Sequence, residues 1–232
     1  MEEITIEHQL EKMREDWDAR ARENARYYVA TGSADWTDEA FFQTGRETVE
    51  QYILNDLENI CQGRAAKSLR VLEIGCGAGR VTRALADTFG EVHAVDVSGE
   101  MIQLARKACA DRPNAFLYQN NGKDLDVVPA IPFDFAFSSI VFQHIPSHEV
   151  IENYVRETHR LLLPGALFKF QLQGNTSLEL KPDDTWVGVA FTEMDAVEMA
   201  HRCGFEPRYR HGAGSQYFWL WFFKKPFVPS VR

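Results

Sequence analysis

Val71-Leu72-Glu73-Ile74-Gly75-Cys76-Gly77-Ala78-Gly79-Arg80 is a short apolar run that ends in three glycines at alternate positions and then enters a helical pattern. A run that is apolar on both faces reads as a strand buried between two layers. Glycines lack the side chain that would hold the backbone away from a ligand, and the helix beginning there offers unpaired N–H groups to a polar molecule. Such a turn also serves plain helix-on-sheet packing, so the loop alone leaves two readings open. The next strand narrows them. Val92-His93-Ala94-Val95-Asp96 is again apolar and ends in a carboxylate 21 residues after Gly75, the place from which a βαβ unit offers an acid to ribose hydroxyls.

Working outward, apolar runs alternate with amphipathic stretches from Ser68 onward: VTRALADTF, VHAVDV, GEMIQLARKA, AFLYQ, FDFAFSSIVF, VIENYVRETHRLL and ALFKFQLQ. This βαβ alternation predicts an α/β fold with a doubly wound parallel sheet. Pro164-Gly165 is expected to stop a helix before a strand that starts near Ala166. At the end, a strand over Phe205 to Arg210 is followed without a helix by HGAG and a strand over Ser215 to Phe223. That hairpin makes the last strand antiparallel. Residues 1–63 read as an N-terminal helical cap over the active site, and 64–232 as the sheet domain. In the cap a charged helix covers Glu7 to Ala30, an aromatic patch DWTDEAFF follows, and a second helix runs from about Glu47 to Cys61 with Tyr52, Ile53, Leu57 and Ile60 on one apolar face.

Composition sets limits on function. The 232 residues are 45% hydrophobic and 25% charged, with a formal net charge of -9, which argues against a nucleic-acid partner because phosphate backbones are bound through clustered Lys and Arg. Cys61, Cys76, Cys109 and Cys203 match neither a zinc spacing nor a disulfide framework. The amino terminus is charged from its second residue, and no stretch approaches the ~18 apolar residues of a membrane helix. A cytoplasmic protein with no membrane partner, monomeric or homodimeric, is expected.

VLEIGCGAGR followed by VDVSGEMIQLARK resembles the class I S-adenosylmethionine-dependent methyltransferases of the small-molecule type, over roughly residues 68 to 224. The G-x-G-x-G spacing fits this family better than the G-x-G-x-x-G of dinucleotide enzymes. The resemblance implies a seven-stranded Rossmann-like sheet, S-adenosylmethionine as cofactor, S-adenosylhomocysteine as product, and no metal. It lays Glu73, Gly75, Cys76, Gly77 and Gly79 along the methionine and ribose part of the cofactor, puts Asp96 on the ribose hydroxyls, and lets Val97 and Met101 flank the adenine or simply fill the core.

A third family element usually carries an acid where this chain has Asn121, in Gln119-Asn120-Asn121-Gly122. The Asn121 side-chain oxygen can accept from an adenine amino group while the Gly122 N–H donates to a ring nitrogen; an ordinary Asn-Gly turn is the other reading. A fourth stretch, Phe133 to Pro146, ends a strand in the active site, with Ser138 on the cofactor side and His144 near the substrate. His144 is either a general base for a hydroxyl nucleophile or a polar element of the pocket floor. Arg46 is a candidate partner for the cofactor's carboxylate or else a solvated charge. Trp17, Tyr27, Tyr28, Trp36, Phe41 and Phe42 either close over the sulfonium or form the core of the cap.

The motifs of amide, exocyclic-amine and cytosine C5 methylation, and the acidic cluster of magnesium-dependent catechol enzymes, are missing from the fourth stretch. Between the strand ending near Gln173 and the helix at Thr192 the stretch GNTSLELKPDDTWVGVAF is too short for a large recognition domain, so methylation of oxygen or nitrogen on a small, partly apolar molecule, as in natural-product chemistry, is expected. Methylation of a peptide terminus and cofactor binding without transfer are the alternatives. A nicotinamide dehydrogenase fits the glycine spacing and the terminal hairpin less well, and nothing suggests the acidic pocket of an aminopropyl transferase.

Overall fold

The computed structural model describes residues 5–178 and 185–226. Its strands are β1 (Arg70–Ile74), β2 (Glu91–Asp96), β3 (Ala115–Gln119), β4 (Phe133–Ser138), β5 (Leu162–Leu172), β6 (Phe205–His211) and β7 (Phe218–Lys224). They form one sheet in the order β3-β2-β1-β4-β5-β7-β6. The first five run parallel, and β7 lies antiparallel between β5 and β6. This is the seven-stranded arrangement expected from the resemblance, with the terminal hairpin placing β7 inside the sheet rather than at its edge. The strand order reverses at β1 and β4, and ligands of open α/β sheets bind beyond the carboxyl ends of the strands at such a point.

Side chains of the strands alternate between two cores. Leu72, Ala136, Phe168 and Phe170 face one side, where they meet α6 (His148–Leu161) and α7 (Glu193–Arg202) through residues such as Val155 and Met199. Val71, Phe135, Phe137 and Trp219 face the other, against Val81, Leu85 and Phe89 of α4 (Arg80–Thr88) and its end. Apolar burial at roughly 25 cal/mol per Å² on both faces is what holds such a sandwich together. The crossover helix between β2 and β3, α5 (Gly99–Ala108), is capped by the Ser98 hydroxyl, which accepts from the Met101 N–H at 3.0 Å.

The amino-terminal part differs from expectation in two ways. Its second helix, α2 (Asp38–Tyr52), starts nine residues earlier than predicted, because Thr37 caps it by accepting from the Ala40 N–H at 3.2 Å. The aromatic patch is thus partly helical, and Phe41 is buried at the centre of a small cluster with Ala78 and Met101. Second, α2 and α3 (Leu57–Cys61) add to the sheet's own core, with Val49, Ile53 and Ile60 packed on the α4 side. α1 (Ile6–Val29) crosses toward the carboxyl ends of the strands. A non-helical residue at Asn24 divides it into two arms. The expected stop at Pro164-Gly165 is also displaced, since α6 ends at Leu161 and β5 runs straight through both residues. No helix of the described residues is long and apolar enough to cross a membrane.

Candidate active site

A cleft open to solvent lies at the carboxyl ends of β1, β2 and β4 under α1. The glycine turn forms the floor. Gly75 and Gly77 adopt φ of 77° and 51°, the left-handed region that disfavours side chains. A side chain at Gly75 would run into Val141, and one at Gly77 would meet Val29 of α1 at 2.9 Å. The bare backbone is what leaves the cleft room.

Asp96 holds this turn to the next. Its carboxylate accepts from the Gly77 N–H at 2.8 Å and the Ser98 N–H at 2.9 Å. Burial pushes its pKa up to about 6 against the pull of these two donors, and the nearby Asp18 carboxylate adds to the rise. Glu73, only 4% exposed, accepts from the Thr82 hydroxyl at 2.6 Å, and burial raises it to about 7. Cys76 lines the cleft with its thiol pushed well above the ordinary value by burial. Two buried acids with raised pKa values beside a cavity are the mark of a site built for cationic or hydroxyl-bearing groups.

Val97 and Met101 line the cleft, and Met101 is also part of the buried cluster around Phe41. Gly79 instead packs on α5, where a side chain would approach Ala105 Cα at 3.0 Å. Ser138 is buried and donates to the Ile74 carbonyl at 2.9 Å, while its neighbour Ser139 reaches the cleft. Gly122 is buried beneath Val97 and Met13.

Two sequence assignments shift by position. Arg46 is exposed on α2 and donates to Gln43 at 2.8 Å. The guanidinium in the cleft belongs to Arg80, which donates to the Thr44 carbonyl and the Thr48 hydroxyl at 2.8 and 2.9 Å. Arg80 is 8% exposed, and its Nε is a buried donor without a partner. Asn121 is likewise exposed, its oxygen accepting from the Lys123 and Asp124 N–H groups of its own turn. Asn120 lines the cleft in its place, donating to the Tyr154 hydroxyl at 2.6 Å and leaving its own Oδ1 buried and unpaired. Glycine backbone, the carboxyls of Glu73 and Asp96, Arg80 and Asn120 around one cleft suit a molecule with ribose, amine and carboxylate ends, and so fit S-adenosylmethionine.

The far end of the cleft is apolar and aromatic: Met13, Trp17, Tyr28, Val141 and Ile145 surround His144. Of the expected aromatic lid, Trp17 and Tyr28 reach the cleft, whereas Trp36, Phe41 and Phe42 pack together under α1 and Tyr27 is exposed. His144 is buried on the short 3-10 turn Phe142–His144, 5.2 Å from the Trp17 ring and 5.0 Å from that of Trp186. Its Nδ1 lies 2.5 Å from the Trp186 carbonyl. Ile140, just before it, holds φ of 57°, a rare conformation for a β-branched residue. Among the described residues no cluster of three or more His, Cys, Asp or Glu is placed to hold a metal.

The family description "Methyltransferase domain" matches residues 71–165, the segment that builds this cleft. The chain belongs to the class I S-adenosylmethionine-dependent methyltransferase family. It is 30% identical over 185 residues to a malonyl-[acyl-carrier protein] O-methyltransferase of Salmonella typhimurium, covering 75% of the chain and 66% of that protein. Against the protein of the same description from Enterobacter lignolyticus it is 32% identical over 116 residues, 49% of the chain and 43% of the relative. The chain thus matches between about two fifths and two thirds of these relatives' length. In fold the chain resembles the structure described as the DhpI-SAH complex, with a TM-score of 0.66 at 20% identity over 96% of the chain and all of its counterpart.

Proposed function

We propose that the chain is an S-adenosylmethionine-dependent methyltransferase that methylates oxygen or nitrogen on a small, partly apolar acceptor. One observation carries this reading: a single continuous cleft joins the glycine turn and Asp96 at one end to the aromatic walls around His144 at the other. Asp96 would take the ribose hydroxyls, and Glu73 and Arg80 the amino and carboxylate groups. Asn120 would face the adenine. When bound, S-adenosylmethionine supplies an already activated methyl group, so no nucleophilic side chain is needed. The protein's share is to hold the acceptor in line and to keep water out, a role for which Trp17, Ile140, Val141 and Ile145 are suited. His144 would border the acceptor as a polar group of the pocket.

The acidic net charge and the apolar acceptor end support a small molecule over a nucleic acid. The cytosol is the compartment that fits four buried, unpaired cysteines. Calorimetry with S-adenosylhomocysteine, S-adenosylmethionine and NADH tests the cofactor assignment. Binding of the first two and not the third is expected, and Asp96→Ala should weaken it by about tenfold or more, the cost of one charged hydrogen-bonding group. Unchanged affinity in Asp96→Ala would overturn the assignment. Mass spectrometry of metabolite mixtures incubated with methyl-labelled cofactor then reads the acceptor.

A further inference from the structure

The strand next to the acceptor end of the cleft carries a fully buried amide, Gln171 on β5, with four partners. Its Oε1 accepts from the Ile140 N–H at 2.9 Å. Its Nε2, with two hydrogens to give, has three acceptors within reach: Gln143 Oε1 and the Gln216 carbonyl, both at 2.8 Å, and the Leu172 carbonyl at 3.0 Å. Gln143, 5% exposed, therefore has its carbonyl turned to Gln171 and its amino group turned to His144, where Nε2 meets Nε2 at 3.3 Å.

The direction of each bond follows from what the atoms can do. A backbone carbonyl only accepts, so His144 Nδ1, facing the Trp186 oxygen, carries a proton. An amide nitrogen only donates, so His144 Nε2, facing Gln143, is bare. Donation thus runs one way, from Gln171 to Gln143 to His144 to Trp186. A chain with one polarity reinforces itself, since each donor is polarised by the bond behind it. We propose that Gln171 and Gln143 are positioning residues that fix His144 as the neutral Nδ1–H tautomer, its Nε2 lone pair held by the Gln143 amide, so that the ring stands in the cleft wall as an uncharged group. The same Gln171 oxygen holds the Ile140 N–H, and so maintains the left-handed turn that brings Ile140 to the cleft wall. One side chain thereby sets both the acceptor wall and the state of the His144 ring.

Charged and titratable groups approach the ring from α1 and from the cleft. Arg20 sits over the Trp17 and Trp186 rings at 4.8 and 5.3 Å, Asp16 accepts from Thr185 at 2.6 Å, and Tyr28 lies against Trp186 at 5.9 Å. Glu73, Asp96, Arg80 and Tyr154 line the same cavity. The meaning of the relay for the acceptor rests on the methyltransferase reading, whereas the tautomer itself does not.

The test is nitrogen-detected NMR of the histidine rings in the full-length 15N-labelled chain, with His144 assigned by the signals lost in His144→Asn. At about pH 8, above the ordinary histidine pKa of ~6.5, wild type should show a protonated Nδ1 and a bare Nε2. In Gln143→Glu a carboxylate replaces the donor, and the ring should become doubly protonated with its titration midpoint raised by about one unit or more. Gln171→Glu should do the same by turning the Gln143 amide round. Gln143→Met removes the donor without adding charge, so Nδ1 should stay protonated while the Nε2 resonance shifts from its wild-type position. Circular dichroism identifies variants that do not fold, and Gln143→Met, the least disruptive, carries the test if both glutamates fail. A wild-type proton on Nε2, or unchanged His144 signals in folded variants, would overturn the relay. Cofactor binding is measured separately by calorimetry, so loss of the relay and loss of the methyltransferase reading give different results.

Discussion

Glu73 illustrates what the site costs. Its carboxyl is raised from 4.5 to about 7 by burial, with the Thr82 hydroxyl opposing the rise. A group whose folded pKa lies above its unfolded value stabilises the fold at low pH and loses that contribution as pH climbs from the unfolded value through the folded one. The native protein should therefore lose up to about 3 kcal/mol from this residue between about pH 4.5 and pH 7, at 1.36 kcal/mol per pKa unit. Glu73→Gln keeps an acceptor for Thr82 and cannot ionise. It should melt like wild type near pH 5 and above it near pH 8, by several degrees, while binding S-adenosylhomocysteine more weakly. Thermal unfolding at the two pH values reads the difference, and a gap that does not widen with pH rejects the account. Glu73 and Asp96 reach the cleft because each stands at or next to the carboxyl end of its strand, where the parity of the side chains fixes their direction. Arg46 and Asn121 were misleading for the opposite reason: a helix surface and a turn leave the direction of a side chain to tertiary packing. Arg80 and Asn120, each buried beside an assigned residue, hold the places in the cleft.

At the level of elements, α1 is latched rather than simply laid over the cleft. Asp18 accepts from the Ser98 hydroxyl at 2.6 Å and from the Glu100 N–H at 3.2 Å, so a side chain of α1 serves the amino terminus of α5 and the turn that Asp96 holds. A carboxylate there also complements the partial positive charge of the helix end. Arg22 adds an exposed ion pair to Glu100, a contact of little weight. Asp18→Ala should cost about 1 kcal/mol, the usual value of a capping group, and should raise hydrogen exchange in α1 and α5 together. S-adenosylhomocysteine affinity should fall several-fold, because Met13 and Trp17 reach the cleft from the same helix. Exchange that rises in α1 alone would show that the latch does not couple the two helices. The alternation of strands and helices was readable from periodicity, whereas the start of α2 was not, since its cap, Thr37, lies inside an aromatic patch without helical spacing. The layer to which α2 belongs depends on Gly45, whose missing side chain lets that helix press against the Arg80 carbonyl.

For the molecule as a whole, the amino-terminal third is tied to the sheet by a buried charge. Lys169 in β5 is buried; its Nζ donates to the Tyr52 carbonyl at 2.6 Å and to Asp56 at 2.7 Å, and it sits 4.5 Å from the Trp221 ring. The Trp221 indole N–H donates to the same Asp56 oxygen at 2.5 Å. Burial opposes ionisation of Asp56, but the hydrogen bonds from Lys169, Asn59 and Trp221 hold its carboxyl below the ordinary value. This clamp lies on the sheet face covered by α2 and α3, and none of its residues lines the cleft. Asp56→Ala would leave an ammonium and an indole N–H buried without their acceptor, a loss of about 3–5 kcal/mol, or roughly 10 °C in melting temperature for a chain of this size. Below its new melting temperature the variant should bind S-adenosylhomocysteine within about twofold of wild type, because a contact away from the site changes affinity only through the folded population. A fall in affinity as large as that of Asp96→Ala, measured by calorimetry at a temperature where Asp56→Ala is folded, would mean that the clamp positions Arg80 through α2. The two sheet faces would then act on the cofactor as one unit.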